Sequence, residues 1–178
     1  VLDDYEAVMP LPWKQKYFIK YISQPFFCQQ LGIFSLKKNS QEIAQKFIRK
    51  IPKKFLKITL QLNSENCFEE INLEKKVNYI LSLNTSYTFL FKSFNKGRKH
   101  AVKVGDSHSL TIKNITIDQL IKLTKENYTY ANSLGNDFKK LKKLTSYILA
   151  NNKGSVVGVF KEDIVLGGAI ILKDNYRI

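Results

Sequence analysis

Tyr87–Val104, YTFLFKSFNKGRKHAVKV, is the stretch on which the reading of this chain turns. At 100° per residue, Tyr87, Leu90, Phe91, Phe94, Ala101 and Val102 fall on one stripe, and Lys92, Lys96, Lys99 and Lys103 on the opposite one. Asn84, Thr85 and Ser86 precede it as N-cap candidates. The pattern predicts one helix over 87–104 with an apolar face and a basic face. Two residues depart from it. Gly97 lies inside the helix, where it costs about 1 kcal/mol relative to Ala and marks a break or hinge. Arg98 falls in the apolar stripe, so it needs an anion or a carbonyl partner or must reach out to solvent. The default meaning is a connecting helix with a solvated lysine face. The sharper one is a site where Lys96, Arg98, Lys99 and Lys103 meet a phosphate-bearing ligand.

On the N-terminal side, Tyr5–Met9 alternates as a strand does, and Pro10 and Pro12 end it. Trp13, Lys14 and Lys16 follow as a turn, and Phe18–Ile22 as a short strand or helical turn. Pro25-Phe26-Phe27 leads into Cys28–Ser35, read as a central strand. Asn39 with Glu42 resembles a capping box for a helix bearing Ile43, Ala44, Phe47, Ile48 and Ile51, which Pro52 stops. Leu56, Ile58, Leu60 and Leu62 alternate with polar residues, predicting a strand with one buried face. Asn63–Lys76 reads as a loop or short helix, and Val77, Tyr79, Leu81 and Leu83 as another strand.

On the C-terminal side, His108–Ile112 is a short strand candidate, and Thr116 with Gln119 a second capping box for a helix through Leu120, Ile121, Thr124 and Tyr128. Asn136 caps a third helix with Phe138, Leu141, Leu144, Ile148 and Leu149 inward. Ser155–Phe160 and Ile164–Leu172 form a hairpin, in which Gly167-Gly168 marks a bulge or a close approach. Tyr176–Ile178 begins a further strand. The ends at Tyr5–Met9 and Tyr176–Ile178 are both strand-like, so the chain reads as a fragment of a longer protein. The elements predict an α/β (α+β) fold with mixed, largely antiparallel sheets flanked by helices.

Composition bounds the function. The 178 residues, 44% hydrophobic and 12% aromatic, suit one ordinary domain or two small or incomplete ones with a real core. A net charge of +14 favours anionic partners, whether nucleic acid, acidic lipid or a phosphorylated substrate. Cys28 and Cys67 stand alone, with neither a disulfide framework nor a metal-ligand spacing, so no metal is expected and a reduced, cytoplasmic setting follows. No apolar run of about 20 residues is present to span a membrane. There is no Walker loop, dinucleotide fingerprint, nucleophile elbow or zinc helix.

Tyr5-Glu6-Ala7-Val8-Met9-Pro10-Leu11-Pro12-Trp13, Tyr21-Ile22 with Gln24-Pro25-Phe26-Phe27, and Gln29-Gln30-Leu31-Gly32-Ile33-Phe34-Ser35 resemble a group of bacterial proteins related to GNAT acetyltransferases and FemAB-type aminoacyltransferases. Asn95–Lys103 resembles the basic run that opens the second unit in that superfamily, and Gly158-Val159-Phe160 with Leu166-Gly167-Gly168-Ala169 its hairpin. The resemblance implies tandem GNAT-like units clipped at both ends. Residues 1–86 would be the C-terminal part of a first unit, 87–104 a connecting basic helix, and 105–178 the N-terminal part of a second. It implies acyl or aminoacyl transfer to an amine-bearing acceptor, with acyl-CoA or aminoacyl-tRNA as donor. The family's phosphate pattern is met at Gln29 and Gly32 but fails at Phe34, which argues against CoA binding in the first unit.

Candidate cleft residues are Glu6, Trp13, Gln29 and Gln30; the donor's phosphates fall to Lys96, Arg98, Lys99 and Lys103. No residue is assigned as catalytic. His100 and His108 are lone histidines in polar company. Three functions compete: a transferase working by positioning and backbone oxyanion stabilisation, a noncatalytic GNAT-like scaffold, and a basic nucleic-acid-binding module with steep salt dependence.

Overall fold

The computed structural model describes residues 1–37, 40–66, 68 and 71–174. Helix accounts for 37% and strand for 25%, and the sheets are mixed and antiparallel, so the chain is an α/β protein. It divides into two compact units, Val1–Tyr79 and Ile80–Ile178.

The first unit holds β1 (Ala7–Val8), β2 (Trp13–Lys16), β3 (Ile19–Ser23), β4 (Phe34–Ser35), α1 (Gln41–Lys50) and β5 (Phe55–Thr59). β1 pairs antiparallel with β4, while β2, β3 and β5 form a second sheet in which β3 and β5 run parallel. A parallel pair needs a long crossover; here it passes through β4 and α1. α1 begins after Ser40, whose hydroxyl accepts from the Ile43 N–H. The expected cap Asn39 lies outside the described residues. Lys46, by hydrogen bond and then by charge, holds the Glu42 carboxyl below its usual range. The core is Ala7, Ile33, Ala44 and Phe47, with Leu2, Met9, Ile43 and Phe68 against it.

Several sequence expectations are corrected in this unit. The strand over Tyr5–Met9 shrinks to two residues because Tyr5 has φ +61 and turns the chain back, so that the Leu2 N–H donates to Ala7 O. Trp13–Lys16, expected as a turn, is strand β2 paired to β3. Cys28–Ser35 is extended only at its end. Phe27 at φ +63 and Gly32 at φ +104 break the run, and Gln24 closes the loop by donating to Cys28 O and accepting from the Gln61 N–H. β5 has no buried face, since Leu56 and Ile58 are both exposed, and the alternating Val77, Tyr79, Leu81 and Leu83 form no strand. Alternation alone is insufficient where, among the described residues, no partner strand takes the backbone groups.

The second unit holds α2 (Tyr87–Ser93), α3 (Lys96–Ser107), β6 (Thr111–Asn114), α4 (Ile117–Asn127), a 3-10 turn at Thr129–Leu134, α5 (Gly135–Ala150), β7 (Gly154–Lys161) and β8 (Ile164–Leu172). The sheet order is β6-β7-β8, antiparallel throughout. The Thr116/Gln119 capping box is formed in full. α5 begins at Gly135 without a side-chain cap, so Asn136 lies inside the helix rather than capping it. Ile121, Ala131, Phe138 and Leu141 make the core with Ile117, Leu134 and Ile170. Ile148 also points inward, but Leu144 and Leu149 are exposed, and Thr145 takes an inward place instead. Tyr176–Ile178 lies outside the described residues.

Gly167-Gly168 carries both features expected of it. Val159 pairs with Gly167 while Phe160 pairs with Val165, which leaves Leu166 as the extra residue of a bulge. At Gly168 a Cβ would stand 2.8 Å from Val157 O and 3.0 Å from Leu120 Cδ1, so α4 packs where a side chain would be.

Thr145 is fully buried and its hydroxyl has no hydrogen-bond partner among the described residues. Thr145→Val keeps the shape and removes that unpaired group. It should raise the stability of the second unit by about 1 kcal/mol in denaturant titration; a loss of stability would show that the hydroxyl is paired in solution.

Candidate functional site

The basic stretch is two helices rather than one. Ser86 caps α2 through the Phe89 N–H, and α2 ends at Phe94, whose ψ of 143° leaves helical space. Asn95 then caps α3 by accepting from the Arg98 N–H at 2.8 Å. A strong N-cap residue therefore sets the break, two residues before Gly97. Gly97 sits in the first turn of α3, where an added Cβ would make one ordinary contact, with Asn95 Oδ1 at 3.6 Å.

The break changes what each cation does. Within α3, Lys96, Lys99 and Lys103 share one side at i, i+3 and i+7, and Arg98 lies on another. Lys99 is half-buried, and its Nζ donates to Lys92 O at 2.7 Å, across the joint onto the C-terminal end of α2. A cation there is favoured by the free carbonyls of a helix end. Arg98 is exposed, so the buried charge expected on a continuous helix does not arise. Lys96 and Lys103 are exposed too, and no lysine or arginine of α2 or α3 is ion-paired among the described residues. Neither helix has a fully buried residue. The expected apolar stripe is a partly exposed aromatic row, with Phe91 6.1 Å from Tyr87 and 6.0 Å from Phe94 between ring centres.

The cleft candidates lie in the first unit and have separate partners. Glu6 accepts a 2.7 Å salt bridge from Lys37, and the bridge's hydrogen bond and charge raise the lysine's pKa. Trp13, on β2, is 56% exposed, with the Phe55 ring 6.4 Å away and Lys20 Nζ 5.5 Å from its centre. Gln29 is exposed and reaches Asn78 Oδ1 at 3.5 Å. Gln30 is half-buried, and its carbonyl accepts a weak bond from Cys28 Sγ. No hydrogen bond, ion pair or ring contact joins Glu6, Trp13, Gln29 and Gln30 to one another among the described residues.

The backbone around Gly32 explains why this segment is poorly suited to cradling phosphate. The Leu31 N–H donates to Gln61 O, Ile33 to Asn66 Oδ1, Leu36 to Glu6 O and Lys37 to Ser35 Oγ. An anion nest needs such donors free, and Phe34 is paired with Val8 in β4 rather than opening a helix. Asn63 and Asn66, which sequence reasoning missed, hold this segment: both carboxamides donate to Ile33 O. Their only sequence signal is a pair of asparagines just after a strand-like run.

Open grooves lie beside two of the helix surfaces among the described residues. One, of about 170 Å³ along α1, is lined by Gln41, Ala44, Ile48, Arg49, Phe68 and Ile71. The other, of about 360 Å³ between α4 and α5, carries the Lys142–Asp118 and Lys122–Glu126 pairs, so most of its charge is internally balanced. No group of three or more His, Cys, Asp or Glu side chains comes together among the described residues. No helix among them is long and apolar enough to cross a membrane. No family model matches the chain, and no curated protein or solved structure matches it significantly.

Proposed function

We propose that the chain is part of an acyl- or aminoacyl-transferase of the GNAT/FemAB kind, acting on an amine-bearing acceptor. The observation that carries this reading is the order of the second unit: β6, then α4 and α5, then the β7–β8 hairpin, in an antiparallel sheet ordered 6-7-8. That is the order expected for the opening part of a GNAT-like unit, and the support is one of fold analogy. Catalysis in such a protein is positioning: a thioester or ester carbonyl is held against the amine while backbone N–H groups take up the developing oxyanion charge. With the donors near Gly32 occupied, the donor's phosphates fall to the unpaired cations of α3, Lys96 and Lys103 first, with Lys99 and Arg98 at its margins. Acyl-CoA and aminoacyl-tRNA are both cytoplasmic donors, so the reading carries a cytoplasmic location with it.

A second reading has its own observation. α2 and α3 carry cations without ion-pair partners among the described residues, which suits a polyanion such as a nucleic-acid backbone with or without chemistry. One experiment separates the two. Acetyl-CoA at about 100 times its dissociation constant should stabilise by roughly 2.7 kcal/mol, a shift of roughly 10–20 °C in the melting of the second unit. Lys96→Gln/Lys103→Gln should remove most of that shift. Without a shift, tRNA binding is measured across a salt series. A linear fall of log affinity with log salt, made shallower by the two substitutions, favours the polyanion reading. Absence of both leaves the noncatalytic scaffold.

A further inference from the structure

Among the described residues, the β2–β3 and β7–β8 hairpins both close with two-residue turns, and their tips differ in kind. The β7–β8 turn is Glu162-Asp163, and the β2–β3 turn is Tyr17-Phe18. Both hold their first residue at positive φ, +54 at Glu162 and +53 at Tyr17. Glycine, asparagine and aspartate are favoured at such positions, and a bulky aromatic is among the poorest choices. Glu162 departs from that preference too, but its tip is charged and solvated. The aromatic tip departs from it with two bulky rings, and neither ring is buried. Phe18 is 96% exposed and Tyr17 81%, and Phe18 has no ring contact among the described residues. Ile19, next along, is half exposed as well. Gln15 Nε2 donates to Tyr17 O at 3.0 Å and so helps to hold the turn in shape.

The surroundings of this tip are uniformly basic. Lys14 and Lys16 precede it and Lys20 follows it, and none of the three is ion-paired among the described residues. No Asp or Glu occurs anywhere from Ala7 to Gln41. Lys16 Nζ lies 5.8 Å from the Tyr17 ring centre, keeping a cation beside the aromatic. We propose that the β2–β3 hairpin tip docks on an anionic lipid surface, with Phe18, Tyr17 and Ile19 entering the interface and Lys14, Lys16 and Lys20 meeting the headgroup phosphates. Aromatic side chains lie favourably at the bilayer interface, and lysine stems reach from apolar surroundings to charged headgroups. A single-stranded nucleic acid is the less suitable occupant. Base stacking is served by rings presented flat along a charged groove, whereas these two project from the end of a turn with an aliphatic residue beside them. The inference is independent of the transferase reading.

The test uses the full chain with vesicles of phosphatidylcholine, with and without phosphatidylserine. The protein should sediment with the phosphatidylserine vesicles. Tyr17→Gly/Phe18→Ser should weaken that binding by at least about tenfold, the loss expected on withholding one large apolar side chain from burial. Its melting temperature should be unchanged or higher, because glycine suits the turn. Lys14→Gln, Lys16→Gln and Lys20→Gln should each weaken binding by about fivefold, on phosphatidylserine vesicles only. The proposal is overturned if the aromatic double variant sediments as the wild type does. It is also overturned if wild-type binding is displaced by oligo(dT) and the variant loses oligonucleotide affinity in parallel. Conversion of a lipid-free wild-type dimer into monomers by the same double variant would assign the tip to a second copy instead.

Discussion

Gly32→Ala is expected to destabilise the first unit by ~3 kcal/mol or more. Gly32 is buried and has φ +104, beyond the left-handed well that other residues enter at modest cost. The added Cβ would overlap Asn66 Oδ1 and stand 3.0 Å from Asn66 Cγ and 3.1 Å from Leu62 Cδ2. Asn66 cannot simply turn aside. It accepts from the Ile33 N–H at 2.8 Å, donates to Ile33 O at 2.9 Å, and donates to Asn63 Oδ1 at 2.7 Å. Ile33 is 1% exposed and belongs to the core cluster with Ala7, Ala44 and Phe47, so a shift of its backbone reaches the packing under α1. Backbone strain of ~1–3 kcal/mol adds to the loss of buried hydrogen bonds at ~1–3 kcal/mol for a stranded group. At roughly 4–8 °C per kcal/mol for a unit of this size, the melting temperature should fall by roughly 12–24 °C. Trp13 fluorescence follows this unit specifically. In the Asn66→Ala background the same glycine substitution should do less harm, because the clash is gone. A fall of only a few degrees in the otherwise wild-type protein would mean that the Gly32–Asn66 contact is not what holds this segment.

Phe138→Ala is the matching change in the second unit, with an expected loss of ~3–5 kcal/mol. Phe138 is 5% exposed on α5 and packs in the cluster with Ile121 of α4, Ala131 of the 3-10 turn and Leu141 one turn along α5. It therefore joins three consecutive elements, and Ile170 of β8 closes the same cluster from the sheet. Removing the ring leaves a cavity that two helices and a turn must collapse to fill, and the cost of such a void adds to the lost burial. Lys125 Nζ, 5.8 Å from the ring centre, also loses its aromatic neighbour. Loss of helical circular dichroism should report the change, since the chain's longest helices, α3, α4 and α5, lie in this unit. Phe138→Leu, which keeps most of the volume, should lose about 1 kcal/mol. Equal effects of Ala and Leu would argue that the packing around the ring is loose.

What was legible follows from how local each signal is. Thr116 with Gln119 specifies a capping box whose groups lie within one turn, and it forms as expected. Lys161–Ile164 closes a hairpin between two strongly patterned strands, and the bulge at Leu166 beside Gly167 is where the double glycine placed it. The basic stretch was legible in composition but not in continuity. Its helical wheel runs smoothly through Phe94 and Asn95, yet Asn95 caps a new helix, which shifts Arg98 into solvent and turns Lys99 onto the end of α2. The wheel assumes an unbroken phase, and one strong cap cancels it.

By itself the sequence determined the mixed α/β class, the helices α1, α4 and α5, the β7–β8 hairpin and the uncompensated positive charge. These rest on periodicity, capping and composition, which act within a few residues. Only the tertiary structure decided that Cys28–Ser35 breaks at Gly32, that Asn63 and Asn66 take over its hydrogen bonds, and that Leu56 and Ile58 face outward. It alone decided that Tyr17 and Phe18 stand unpacked at a hairpin tip. Those outcomes depend on which distant backbone groups and side chains meet, and side-chain alternation fixes which residues share a face of a strand but not what, if anything, covers it.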